Sequence, residues 1–130
     1  MRLDEIMTKP VPYRWKPVRF NRVLATFVSK GINYQVDFDL STADNWTIAF
    51  FDQGDGESKG SPFEVITTVA EITLEFIKNK YPRRVLFTGL TPSHTKLYAA
   101  IAAILQPKLT LWGYVVNHRG KYFRIDLTSD

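Results

Sequence analysis

The feature that most constrains this chain is the strict alternation between Ile32 and Leu40. Ile32, Tyr34, Val36, Phe38 and Leu40 are apolar, and Asn33, Gln35, Asp37 and Asp39 between them are polar. Successive side chains of a strand point to opposite faces, so the pattern predicts a strand with one buried face and one wet, acidic face. Its neighbours supply partners. Phe20 to Ser29 predicts a strand, Lys30-Gly31 a turn, Ser41 to Asn45 a second turn, and Trp46 to Phe51 a third strand. The three read as an antiparallel meander.

Beyond Phe51 the period changes. Ser61-Pro62-Phe63-Glu64 holds an N-cap serine, a first-turn proline and a glutamate three residues on, the parts of a capping box. The helix that follows carries Val65, Val69, Ile72 and Phe76 on one stripe, with Ile66, Thr73 and Ile77 beside it, and stops before Tyr81-Pro82. Val85-Leu86-Phe87 predicts a short buried strand. Thr91-Pro92 leads into a second helix bearing Leu97, Tyr98, Ile101, Ile104 and Leu105. Leu109 to Val116 is β-rich, Asn117 to Gly120 reads as a hairpin loop, and Lys121 to Leu127 closes the chain. The expected class is α+β in a single domain: a three-stranded antiparallel meander, helix, strand, helix and C-terminal β-hairpin.

No repeat or linker divides residues 19–130. Residues 1–18 read as a proline-rich basic and aromatic arm, because Pro10, Pro12 and Pro17 each remove an amide donor and favour extended geometry before them. Tyr13 and Trp15 alternate with Arg14 and Lys16, which puts rings on one side and cations on the other. Two readings stand: the rings pin the arm to the core, or the arm is a contact surface for a polynucleotide or a protein.

The bulk composition narrows the chemistry. Nine Phe, six Tyr and three Trp in 130 residues provide for a packed core. The absence of cysteine removes disulfides, thiolate ligands and thiol nucleophiles, and fits a reducing cytoplasm. No apolar run approaches the ~20 residues of a bilayer span, and the first residues lack a signal-peptide core, so no membrane role is expected. His94 and His118 are the only histidines, and neither has carboxylates at ligand spacing, so no metal is expected. Net charge is +4 but segregated: residues 1–30 hold seven basic and two acidic residues, residues 31–64 one and seven, residues 65–130 nine and four. Such segregation fits a basic patch that attracts nucleic acid or an acidic partner. Gly54, Gly56 and Gly60 precede the capped helix, whose N-terminus suits a phosphate; Lys59 is the loop's cation among Asp52, Asp55 and Glu57.

The order of elements over residues 20–128 resembles the core of the GNAT acetyltransferases. In that family a Gly-containing loop before the first helix binds the pyrophosphate of coenzyme A, which implies cofactor contacts at Gly56, Lys59, Gly60 and Ser61. Ser93-His94-Thr95-Lys96-Leu97-Tyr98 is similar to the family's second helix, where a tyrosine after a leucine often serves as general acid, which implies that role for Tyr98. More narrowly, Phe63 to Val69, Phe87 and Ser93 to Tyr98 look like a group of small uncharacterised proteins of tailed bacteriophages. That likeness implies an accessory protein acting in the cytoplasm of an infected bacterium.

Two functions are expected from these readings. The first is a non-catalytic phage accessory binding protein with a GNAT-like core and no cofactor. It would contact a host or phage macromolecule, protein or nucleic acid, through Tyr13, Arg14, Trp15, Lys16, Arg83, Arg84, Arg119 and Lys121. The alternative is a pared-down N-acyltransferase that takes acetyl-coenzyme A and uses Tyr98 as its acid. A homodimer through an unpaired sheet edge is compatible with either.

Overall fold

The alternation over Ile32–Leu40 becomes the spine of a sheet. A computed structural model describes residues 9–42, 44–52, 62–88, 92–120 and 122–128. Within them run β1 (Tyr13–Arg19), β2 (Arg22–Ser29), β3 (Ile32–Thr42), β4 (Asn45–Asp52), α1 (Pro62–Lys80), β5 (Arg84–Thr88), α2 (Pro92–Leu111), β6 (Tyr114–Arg119) and β7 (Tyr122–Leu127). The strands form one sheet in the order β1-β2-β3-β4-β5-β7-β6. All neighbours are antiparallel except β4 and β5, which are parallel and joined through α1, the crossover such a pair requires.

This corrects the expected GNAT-like domain with its three-stranded meander. The described residues form a seven-stranded mixed sheet with two helices, 51 residues in strands against 39 in helices, and its meander has four strands. The difference lies in the proline-rich segment: Tyr13–Arg19, inside the arm expected over residues 1–18, pairs with β2 from Tyr13↔Phe27 to Arg19↔Arg22. Pro17 is tolerated because β1 is an edge strand, where a missing amide donor breaks no ladder on the outer side. The next strand accordingly starts at Arg22 rather than Phe20, whose ring is 90% exposed in the β1–β2 turn.

Two other boundaries move. The second helix continues through Pro107 to Leu111, where a β-rich segment is expected from Leu109. Leu105 and Leu109 lie one turn apart and are both fully buried, and burying one leucine contributes about 1.5–3 kcal/mol, close to the ~3 kcal/mol cost of an internal proline. Asn117–Arg119 belong to β6, so the last hairpin turns at Gly120, which takes φ +60°. The Lys30-Gly31 turn is as expected: both residues have positive φ, the geometry whose twist matches a two-residue hairpin.

Both helices cover one face. β3 directs Tyr34, Val36 and Phe38 to it, β2 Ala25 and Phe27, β4 Trp46, Ile48 and Phe50, and β5 and β7 add Val85, Phe87, Phe123 and Ile125. The expected stripe of α1 meets them: Val65, Val69, Ile72 and Phe76 are buried, and the Phe76 ring stacks on Phe38 at 4.1 Å with its edge toward Trp46 at 4.9 Å.

β1 and the segment just before it are tied to α1 by three bonds. The Val11 amide donates to Thr68 Oγ1 at 3.0 Å, the Tyr13 hydroxyl donates to Glu75 Oε1, and Trp15 Nε1 donates to Glu75 Oε2 at 3.0 Å. Glu75 therefore spends both carboxylate oxygens on the edge strand. E75A is expected to lower unfolding free energy by about 2 kcal/mol, the worth of charge-assisted hydrogen bonds in a partly exposed site. Urea denaturation followed by tryptophan fluorescence reads the loss. An unchanged midpoint would show that ring packing alone holds β1.

Candidate functional site

With the helices on one side, the other side of the sheet carries the alternate residues of every strand, and no described helix packs on it. Its side chains form a grid set by the strand register. One row runs across the sheet as Arg22, Asp39, Thr47, Leu86, Arg124 and Asn117. On the β5-β7-β6 half the row before it is Arg84, Asp126 and Val115, and the row after it ends in Tyr122 and Arg119. Rows lie about 7 Å apart and columns about 4.8 Å, two residue rises and one strand spacing.

The charges on this face are uneven. Among the described residues it holds seven cations, Arg14, Lys16, Arg19, Arg22, Arg84, Arg119 and Arg124, and three carboxylates, Asp37, Asp39 and Asp126. Asp37 is buried and accepts from Arg22 on both oxygens, Nε to Oδ1 at 3.0 Å and to Oδ2 at 3.2 Å, and a terminal nitrogen to Oδ2 at 2.6 Å. Asp126 is shared: Arg84 Nε donates to Oδ1 and Arg124 Nε to Oδ2, both at 2.7 Å. Two guanidinium groups are thus anchored by a single carboxylate, which leaves a net positive charge and fixes both arginines by their Nε. Arg119 makes no ion pair among the described residues.

Leu86, Asn117, His118, Arg119, Tyr122 and Arg124 line an open cleft of about 400 Å³. Tyr122 is 47% exposed, and His118 stacks on Phe123 at 3.9 Å with Nε2 2.7 Å from the Gly120 carbonyl oxygen. The cleft therefore combines an aromatic ring, two arginines and an amide side chain on a three-stranded floor. Period-two alternation in Lys121–Leu127 is visible in the sequence. The meeting of Arg84, Arg124 and Asp126 is not, because it needs the antiparallel pairing of β5 with β7.

The residues singled out by sequence separate into groups. Arg14, Lys16, Arg84 and Arg119 share the uncovered face, with β1 and β6 at opposite edges, roughly 29 Å apart across six strand spacings. Tyr13 and Trp15 turn to the other face and bond Glu75. Arg83 lies before β5, beside Asn45, Arg84, Asp126 and Leu127. Gly56, Lys59, Gly60, Ser61 and Lys121 lie outside the described residues. Among the described residues, no group of three or more His, Asp or Glu side chains is placed to hold a metal ion, and no helix is long and apolar enough to cross a membrane.

Tyr98 sits in the covered layer, 2% exposed. The parallel pairing of β4 with β5 runs from Asn45↔Arg84 to Ile48↔Phe87, while β4 continues to Asp52. Just past that point the Tyr98 hydroxyl accepts the Phe50 amide at 3.1 Å. Its ring packs edge-on against Phe87 and Phe123. Burial raises the Tyr98 hydroxyl above the ordinary tyrosine pKa, and the bond from Phe50 opposes that shift. No family model, curated protein or solved structure matches the chain, so its functional reading rests on these contacts.

Three tyrosines make stability sensitive to alkali. Burial raises Tyr13, with Glu75 adding to the shift, and burial raises Tyr98 and Tyr114, the last donating to the Pro82 carbonyl at 2.7 Å. Each folded pKa exceeds the unfolded value of about 10, so their stabilisation is complete below pH ~10 and is lost as pH rises toward the folded values. Urea midpoints should hold steady to about pH 9 and fall by about pH 11, with a shallower fall in Y114F. A flat profile across that window would contradict the assignment.

Proposed function

We propose that the chain is a non-catalytic binding protein that holds single-stranded nucleic acid on the uncovered face of its sheet. The observation that carries this reading is the cleft of Asn117, Arg119, Tyr122 and Arg124. A phosphate backbone is matched by arginines spaced along one face, and an unpaired base is matched by an exposed aromatic ring beside them. A strand platform of this kind reads splayed bases better than a duplex, whose bases are already stacked. Seven cations against three carboxylates favour a polyanion over an acidic peptide that would need fewer, closer contacts.

Asp126 orients Arg84 and Arg124 before any ligand arrives, which lowers the ordering cost of binding. Arg14 and Lys16 extend the cationic surface to the far edge, so a strand crossing the whole sheet would meet cations at both ends. The non-catalytic side of the reading is supported by Tyr98, whose hydroxyl is buried and bonded to backbone rather than presented to a ligand. The phage resemblance supplies the setting, the cytoplasm of an infected bacterium.

Fluorescence anisotropy with a labelled single-stranded oligonucleotide tests the proposal. Affinity should fall steeply with salt, and removing one phosphate-contacting arginine should reduce the log–log salt slope by about 0.7. R119A and Y122A should each weaken binding about tenfold, with the slope changing in R119A and not in Y122A. K78A/K80A, on the opposite layer, should leave affinity unchanged. Binding that is absent at low salt, or equally weakened by K78A/K80A, would remove the nucleic-acid reading.

A further inference from the structure

The two edges of the sheet are built differently. β1 carries Pro17, a register shift between Pro17 and Arg19, and exposed cations at Arg14, Lys16 and Arg19. These are devices that stop another strand from adding to an edge. β6 has none of them before its last residues: it holds no proline, and its register with β7 runs unbroken from Tyr114↔Leu127 to Arg119↔Tyr122. β7 is its partner on one side, and no described strand lies on the other. Half of its backbone amides and carbonyls therefore point outward along that edge. One apolar side chain of β6, Val115, stands 44% exposed.

We infer that β6 is a dimer edge, pairing antiparallel with β6 of a second copy to continue the sheet across a two-fold axis. The symmetry selects the register. An axis perpendicular to the sheet keeps each face on its own side, so opposed residues must share parity. Centred on Val116, the pairing sets Val116 against its copy, Val115 against Asn117, and Tyr114 against His118. No formal charge falls within the paired segment. The two Arg119 residues end roughly 20 Å apart, six strand rises, beyond the Debye length of about 8 Å at physiological salt. A second copy thus brings no charge conflict to the seam, buries Val115, and satisfies the outward backbone groups of both chains.

Self-pairing at β1 would fail by the same test, since its missing amide, its bulge and its cations would all meet their own copies. The inference stands apart from the nucleic-acid reading, though the two meet at one place. Dimerisation sets both clefts on the same side of a continuous sheet, with the seam between them.

Sedimentation equilibrium over a concentration series tests the edge, together with hydrogen exchange on the unaltered chain. The expected result is a monomer–dimer equilibrium in which amide protection in β6 rises with concentration while that in β1 does not. V115K places two ammonium groups on diagonal positions about 7–8 Å apart across the seam and should weaken dimerisation about tenfold or more, with an unchanged circular dichroism spectrum. A monomer at every concentration, concentration-dependent protection elsewhere than β6, or a dimer indifferent to V115K would each overturn it. The exchange result does not depend on how V115K folds, and oligonucleotide binding is scored separately from both.

Discussion

Four parallel residue pairs between β4 and β5 hold the two halves of this protein in one sheet. On one side lies a four-stranded antiparallel meander, on the other a three-stranded unit in which β7 is inserted between β5 and β6. Parallel strands cannot be joined by a tight turn, so α1 must cross between them, and its crossing sets where the core forms. Phe76 on α1 stacks on Phe38 and meets Trp46, which locks the helix over β3 and β4. Where the pairing ends at Ile48↔Phe87, Tyr98 of α2 bonds the Phe50 amide, so the second helix closes the place at which the strands part.

One-sided burial follows from this arrangement and decides where function can lie. Two helices cover one face of seven strands, and among the described residues no helix lies on the other, where the alternate residues of every strand stand. Those residues are organised into rows by register, polar on β3 and mixed elsewhere, with Leu24, Leu86 and Val115 among the charged side chains. The shared use of Asp126 by Arg84 and Arg124 shows how the arrangement shapes chemistry: a carboxylate on β7 orders cations from β5 and from its own strand. Glu75 does the equivalent on the covered side, where both of its oxygens hold aromatic donors from β1. Pro17, the register shift and the cations make β1 a protected border, whereas β6 keeps an unbroken register with no described strand on its outer side.

Much of the element order was legible because periodicity reports burial directly. The α1 stripe, the β3 alternation and the Lys30-Gly31 turn were each readable from a few residues, since each depends on local geometry. The misreadings share a cause. Pro17 argued against a strand, yet an edge position removes the penalty. Leu109 to Val116 read as β-rich, yet burial of Leu109 against the core keeps the helix running through Pro107 to Leu111. Both outcomes depend on what lies beside the residue in space. Likewise Tyr13 and Trp15 admitted two readings until Glu75, sixty residues away, was placed under them.

The sequence by itself determined which residues face inward, because alternation and helical stripes are written in the order of side chains. It also determined that the chain carries more cations than carboxylates, and that they are segregated along its length. Only the tertiary structure decided which strand is an edge, which face remains uncovered, and which arginines stand together. Those are properties of strand order, and strand order is set by long-range pairing: the parallel β4–β5 contact and the insertion of β7 between β5 and β6. Local pattern selects the faces; non-local pairing selects the neighbours.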